Sequence, residues 1–474
     1  MRHQGRCPGR THRRRSSHLS EAIGVESGHK AMTRPRRLSG YRNVSLTLEV
    51  RRATLYRNLM KWVDEVPLAK HGAGRDLSRS AVLALLGSRG PTSRADIARE
   101  LGLSPTAVSQ IMRRLLEQRM VEEVAQAPSS GGRPGSLIGL VGGAGRALGV
   151  KVAADHLAIV NVRLDGQMLS STTLAFDAMA PDALPRLAAE LATHTHSDPG
   201  LPKLLGVGVA VPGVVARPDK GTVDADVLQW RRLPVGRHLR GVLGLPVVVE
   251  NDVNALAVAE VLYGHGREAD DFLVLTIGRG IGMGIVADRS VYRGGRGGAG
   301  EFGHVPMDEQ GPPCQCGRHG CLEAWLGEPA LERIARERGV IGPRQGFAAL
   351  VTAADRGDRL AAEIFADAGR LLGRAVAGAA NMFDPDRIVI SGEGVAHWIH
   401  WDVAFRAEFA RRQVRGGDGI AVVLHTWDDS SWAQGAAALV LAAPFDLDGF
   451  GGEQANLVVA RLHGSVEGAD GTVD

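Results

Sequence analysis

One histidine and three cysteines stand close together in the sequence: His304, then Cys314, Cys316 and Cys321 in the run Cys314-Gln-Cys316-Gly-Arg-His-Gly-Cys321. One N and three S donors complete a closed tetrahedral site, the kind that holds a structural zinc. Gly317 and Gly320 let the chain turn tightly between the donors. His319 competes as a ligand, but it lies inside the tight cysteine loop and is expected to point outward. Cysteine usage agrees: the 474 residues contain four cysteines, three of them here. In a reducing compartment such a cluster reads as metal-binding before it reads as disulfide.

Carboxylates flank the cluster. Gly300-Glu301-Phe-Gly-His304 leads into it and Glu323 follows the last cysteine. Upstream, the apolar run Leu245-Pro-Val-Val-Val-Glu ends in Asn251-Asp252, the C-terminal end of a strand, where α/β folds place ligands. An Asn-Asp pair can donate to and accept from adjacent hydroxyls, as a sugar requires, and Asp252 is the residue able to deprotonate one. The same pair would serve as an Asx turn capping a helix over 255–263, and the residues alone leave both readings open. Two glycine stretches accompany them. Leu205–Gly213 reads as a buried strand whose small residues allow a ligand close to the backbone. Phe272–Gly284 reads as a strand entering a loop of the kind that cradles phosphate, though glycine turns also occur in many hairpins.

A second chemistry lies nearer the N-terminus. Ser80–Leu86 is a short amphipathic helix. Ser93, with Asp96 three residues on, caps the next helix, which runs to about Leu101. Gly102 supplies a tight turn. Ser104 caps a further helix with Pro105 in its first position. Val108, Ile111, Leu115 and also Met112 form its inward face by helical spacing. Thr106, Ser109, Gln110, Arg113 and Arg114 fall on the other faces, where such side chains can read base edges or phosphates in a major groove. Two strands, 121–124 and 137–141, enclose Ser129-Ser-Gly-Gly-Arg133-Pro-Gly-Ser136, a wing whose Arg133 suits a minor groove. Helix, turn, helix and wing in this order point to double-stranded DNA as a partner.

These elements divide the chain into four regions. Residues 1–75 form a basic extension expected to lack fixed structure. Residues 76–142 form the winged helix-turn-helix. Residues 145–444 alternate strand-like and helical runs, and 445–474 form a Gly/Asp/Glu-rich tail expected to be flexible. The net charge of +4 hides an asymmetry: residues 1–60 hold fourteen of the 56 Lys and Arg but three of the 52 Asp and Glu. A basic front end suits a nucleic-acid partner. Met32 and Met60 are alternative starts. No apolar run is long enough to span a membrane, and no apolar segment follows Arg13-Arg14-Arg15 as a signal peptide requires. The expected location is the cytoplasm. His194-Thr-His196 reads as a surface loop, and Trp427 and Trp432 as filling of an interface.

The Gly-Gly-Arg-Pro wing, the Asn251-Asp252 pair, the Glu301-x-Gly-His304 motif and the cysteine cluster together resemble the ROK family (repressors, open reading frames and kinases), over residues 145–444 and the winged helix before them. The resemblance implies an α/β fold: an N-terminal winged helix-turn-helix followed by a two-lobed actin-like (ribonuclease H-like) domain with its ligand in the cleft. It implies that Asn251, Asp252, Glu301, His304 and Glu323 contact sugar hydroxyls, that His304 also ligates the zinc, and that Asp252 is the catalytic base if the protein is a kinase. Kinases of the family open with Asp-x-Gly-Gly-Thr-Lys. Here the matching stretch is Lys151-Val-Ala-Ala-Asp155-His156: lysine replaces an acid, alanines replace glycines, and Asp155 puts negative charge where phosphates would lie. Arg279 replaces a threonine of the second phosphate loop, and Ser391-Gly-Glu-Gly394 adds a carboxylate on the adenosine side. These changes count against ATP and leave the sugar side whole. The expected molecule is therefore a sugar-responsive regulator of carbohydrate genes, a repressor by its resemblance and not an enzyme. Its partners are a DNA operator, a sugar or sugar phosphate, and a second copy of itself, since operators are symmetric. A sugar kinase carrying a DNA-binding domain is the alternative.

Overall fold

A computed structural model describes residues 81–126 except 84, 88 and 118, then 136–196, 198–414, 419–425, 428–445 and 452–462. The basic extension over 1–75 and the wing residue Arg133 lie outside the described residues, as does Trp427.

The first unit is small. Helical residues at 81–83, 85–87 and 89 precede strand β1 (Thr92–Ser93) and helices α1 (Arg94–Glu100) and α2 (Pro105–Glu117). Strands β2 (Val121–Gln126) and β3 (Ser136–Leu140) follow, in a sheet ordered β1-β3-β2. Local chemistry sets each boundary. Ser93 Oγ accepts from the Asp96 amide at 3.2 Å, and Ser104 Oγ accepts from the Ala107 amide at 3.2 Å. Gly102 turns the chain at φ +60°. Val108, Met112 and Leu115 are the buried residues of α2. Met112 belongs fully to the inward face, while Ile111 is half-buried at its edge.

Two five-stranded sheets build the rest. The first holds β4 (Arg146–Val152), β5 (His156–Arg163), β6 (Met168–Ala175), β7 (Leu204–Val211) and β11 (Val247–Asn251), in the order β11-β7-β4-β5-β6. Helices α3 (Ala183–His194) and α4 (Val235–Leu243) accompany it, with the short strands β8 (Val214–Val215), β9 (Val223–Ala225) and β10 (Trp230–Leu233) in a separate small sheet. Helix α5 (Asp252–Leu262) leaves β11 directly. The second sheet holds β12 (Phe272–Ile277), β13 (Ile281–Ala287), β14 (Ser290–Val291), β15 (Arg387–Ser391) and β16 (Ala421–Leu424), in the order β14-β13-β12-β15-β16. Between β14 and β16 come α6 (Glu323–Leu326), α7 (Glu328–Glu337), α8 (Phe347–Asp355), α9 (Arg359–Phe383) and α10 (Asp402–Arg412). Helices α11 (Asp429–Leu441) and α12 (Gly452–Leu462) close the chain. Each sheet combines antiparallel and parallel pairs, β4 with β5 and β7 in the first, β12 with β13 and β15 in the second. This is the two-lobed α/β architecture.

Helix α11 returns from the second lobe to lie on the first. A Cβ at Gly208 of β7 would sit 1.8 Å from the Ala436 carbonyl oxygen, and one at Gly149 of β4 would sit 2.0 Å from that of Ala433. The helix backbone therefore packs directly on the strands, which brings Trp432 to the cleft. The tail also departs from expectation. Residues 452–462 form a helix with Val458 fully buried, and Gln454 Oε1 accepts from the Val247 amide at 3.3 Å. The flexible reading of 445–474 is corrected for that stretch: one apolar residue and one amide find partners in the first lobe.

Glu260 of α5 is buried and pairs with His425 Nδ1 while accepting from the His265 amide at 2.6 Å. The hydrogen bond to Glu260 raises the His425 pKa above its ordinary value against the opposing effect of burial. With the folded pKa above the unfolded one, the stabilisation is complete below about pH 6.5 and is lost as pH rises through the elevated value. Urea unfolding between about pH 6 and 9 is expected to show this loss in the parent protein and a flatter profile in His425→Asn.

Candidate functional site

The four sulfur and nitrogen donors converge. His304 Nδ1 and the Sγ atoms of Cys314, Cys316 and Cys321 all lie within 4.8 Å of one another. His304 Nδ1 is 3.5 Å from Cys314 Sγ, and the Cys316 and Cys321 sulfurs are 3.7 Å apart. Zinc bonds of about 2.3 Å to sulfur and about 2.0 Å to nitrogen put tetrahedral S···S edges near 3.8 Å and S···N edges near 3.5 Å, so this donor set fits the ion. Burial pushes the Cys314 thiol up to about 12, so its thiolate needs a cation beside it. The backbone is committed to the arrangement. Gly320 sits at φ +63°, and a Cβ there would lie 1.5 Å from the Asp308 carbonyl oxygen. His319 is exposed and outside the cluster, as its place in the loop implies.

The same loop carries the carboxylates. Glu301 precedes the turn Phe302–His304, and its Oε2 lies 3.8 Å from His304 Nε2. Glu323 opens α6, and its Oε2 accepts from the Ile281 amide at 3.0 Å. Burial raises the Glu301 pKa; His304 opposes the shift, while Asp252 and Glu323 add to it. Asp252, Glu301 and Glu323 thus share one electrostatic field, although they come from both lobes. Asn251 is the N-cap of α5: its Oδ1 accepts from the Val253 and Asn254 amides at 2.9 and 3.1 Å, and its Nδ2 donates to the Gly213 carbonyl at 3.0 Å. The capping reading is therefore realised, and Asn251 fixes the position of Asp252. Gly213 likewise answers to the chain itself, since a Cβ there would meet the Asp224 carbonyl oxygen at 2.4 Å.

Three partners were not legible as such. Lys151 at the end of β4 pairs with Asp252 Oδ2, both side chains nearly buried, and its Nζ stands 4.7 Å over the Trp432 ring. Glu250, fully buried beside Asn251, pairs with Arg293 Nε at 2.6 Å. That bond ties the end of β11 to the segment leading toward Glu301. Glu393 accepts from Trp432 Nε1 at 3.4 Å, and its carboxylate lies 2.2 Å from where a Cβ on Gly278 would be. It therefore fills space beside the second glycine loop. Asp155 pairs with His156 Nδ1 at 2.8 Å, and this hydrogen bond lowers its pKa.

The other surface is the outer face of α2. Thr106, Ser109, Gln110, Arg113 and Arg114 are all exposed. Ser109 Oγ donates to the Pro105 carbonyl at 2.8 Å, which commits its hydroxyl hydrogen to the helix.

Residues 147–443 match the model of the ROK family. The chain belongs to the ROK family. Residues 73–130 match the MarR family model, so the ROK domain follows a MarR-like winged helix. The chain is 30% identical over 333 residues to the DNA-binding transcriptional dual regulator NagC of Escherichia coli K12, covering 67% of this chain and 81% of that one. It is 28% identical over 302 residues to the xylose repressor of Bacillus subtilis 168, covering 63% and 78%. The crystal structure of a ROK family transcriptional regulator, a homologue of the E. coli MLC protein, superposes with a TM-score of 0.68 at 25% identity, covering 82% of this chain and 99% of that one. By their names these relatives are regulators rather than kinases. Among the described residues no helix is long and apolar enough to cross a membrane.

Proposed function

We propose that this ROK protein is a sugar-responsive DNA-binding regulator, a repressor of carbohydrate genes that acts as a dimer or larger in the cytoplasm. The observation that carries the reading is the Lys151–Asp252 pair, which occupies the family's catalytic carboxylate in a chain that also presents a helix with an exposed polar face. Asp252, Glu301, His304 and Glu323 supply sugar-hydroxyl partners, positioned by Asn251. His304, Cys314, Cys316 and Cys321 hold a structural zinc, which when bound fixes the loop carrying Glu301 and Glu323. Thr106, Gln110, Arg113, Arg114 and the wing residue Arg133 face the operator, with Ser109 beside them. Sugar shifts operator occupancy only by binding two conformations with different affinity. A dimer would set its two recognition helices about 34 Å apart, one turn of DNA.

The test is a mobility-shift assay on the gene's own upstream region with a panel of pentoses, hexoses, N-acetylhexosamines and their phosphates. One sugar class is expected to change the shift, and Glu301→Ala is expected to bind DNA without responding. No DNA binding under any condition would sink the reading. Asp252 at the N-terminus of α5 supports a second reading, a sugar kinase. A coupled ADP-release assay separates the two: the expected result is no turnover above background. Turnover abolished by Asp252→Asn would favour the kinase.

A further inference from the structure

Lys151 comes from β4, opposite Ala210 of β7, which in turn stands opposite Glu250 of β11. It therefore lies in the row of the sheet just before Asn251 and Asp252. Its side chain keeps only 11% of its exposure. A lysine so placed gives up hydration and the freedom of four rotatable bonds, so its position has to be held by specific partners. Those partners are the Asp252 carboxylate and the face of Trp432, itself hydrogen-bonded to Glu393. A packing role alone would be served by an apolar side chain of similar volume, because a buried ion pair is weak support for stability. The electrostatics of the cleft give the charge a different purpose. Glu301 precedes the Phe302–His304 turn and Glu323 opens α6, so the sugar reading gathers three carboxylates, with Asp252, where hydroxyls would donate. Carboxylates that share a cleft repel unless a cation is set among them. Lys151 supplies the cation, on Asp252 from the first-lobe side.

We infer that Lys151 is a positioning residue of the sugar site: a fixed cation that supplies the counter-charge of Asp252 and aims its carboxylate as a hydroxyl acceptor, so that the cleft takes its sugar without a nucleotide or its metal. The inference rests on the sugar-binding reading above and assigns the position that departs from the kinase pattern a role within it. The ammonium carries three N–H groups. One is given to Asp252 Oδ2 and the indole stands beneath, while Asp252 Oδ1 accepts from the Val253 amide at 2.9 Å, so the lysine and the helix amide together fix how the carboxylate meets the sugar.

The experiment uses the full chain. A thermal-shift panel of pentoses, hexoses, N-acetylhexosamines and their phosphate esters selects the ligand, and calorimetry measures its affinity. Lys151→Met is expected to weaken binding at least about tenfold, the cost of losing a hydrogen bond to a charged group. Lys151→Arg, which keeps the cation, is expected to bind within about threefold of the parent. Removing the lysine in an Asp252→Asn background is expected to cost much less than in the parent, because the charge it serves is gone. Magnesium with a non-hydrolysable ATP analogue is expected to leave the parent's affinity unchanged. Rescue by arginine and coupling to Asp252 separate this role from packing, since methionine preserves apolar bulk. Parent-like affinity in Lys151→Met overturns the inference, as does an Arg variant as weak as the Met variant, or sugar binding that requires the nucleotide. If no panel member shifts the parent protein, the sugar reading itself fails and takes this inference with it.

Discussion

Cys321→Ser is expected to release the metal, lower the thermal midpoint by on the order of 10 °C or more, and abolish tight sugar binding. The first two effects share a cause. Zinc binding by four N and S donors contributes roughly 10 kcal/mol to the folding of small zinc modules, and in a domain of this size each kcal/mol moves the midpoint by about 2–4 °C, so even part of that contribution is large. Cys321 is the most telling ligand to remove. It is 1% exposed, and it pairs with Pro306 across the loop in an isolated bridge. The Leu322 amide beside it donates to the Val305 carbonyl at 2.9 Å. The loss of sugar affinity follows from position in the chain. Glu301 lies three residues before the ligand His304, and Glu323 lies two after Cys321. A loop freed from its metal therefore lets go of carboxylates at both of its ends. Metal content by atomic emission, melting curves and calorimetry check the three effects separately. A Cys321→Ser protein that keeps stoichiometric zinc and its melting point would show that the cluster is only a group of packed thiols. Acidification is expected to release the metal as well, because each thiolate must reprotonate for the ion to leave.

What the sequence disclosed and what it withheld divide by distance along the chain. The caps at Ser93 and Ser104, the turn at Gly102 and the cysteine loop are made by residues within a few positions of one another, so their chemistry is written locally. The Lys151–Asp252 pair joins residues 101 apart. Lysine at that position was legible as a departure from the kinase pattern, but nothing local says which carboxylate it meets. Glu250 with Arg293 is a similar case. Either residue alone reads as an ordinary charge, and only the approach of β11 to the segment after β14 makes the pair. Helix α12 was hidden for another reason. It sits in a tail otherwise rich in Gly, Asp and Glu, and it owes its place to Val458 and Gln454 docking on the first lobe. Asn251 shows the opposite limit: two functions were written in the same dipeptide, and the geometry divides them, with Asn251 capping the helix and Asp252 facing Lys151.

Replacing Gln110 and Arg113 together by alanine is expected to lower operator affinity by about a hundredfold or more, with sugar affinity and the melting point left as they are. Both side chains are exposed on α2, three residues apart, on the face opposite Val108, Met112 and Leu115. A bidentate contact from Gln to adenine or Arg to guanine is worth about 1–3 kcal/mol, so two such losses combine to the stated factor. Stability is spared because exposed helical positions away from caps usually change it by less than about 0.5 kcal/mol, and alanine is a good helix former. Ser109 provides the internal control. Its hydroxyl already donates to the Pro105 carbonyl, so Ser109→Ala is expected to change affinity far less than either neighbour. Salt separates the roles of the arginines. A residue that meets only phosphate weakens binding to all sequences and reduces the slope of log affinity against log salt by about one, whereas a base-reading residue also relaxes sequence preference at one position. Arg114 lies one residue further round the helix and is expected to show the phosphate pattern. Gel shifts on the operator and on scrambled DNA, each across a salt series, decide between them. Full operator affinity in the double variant would move the DNA-reading surface off this helix.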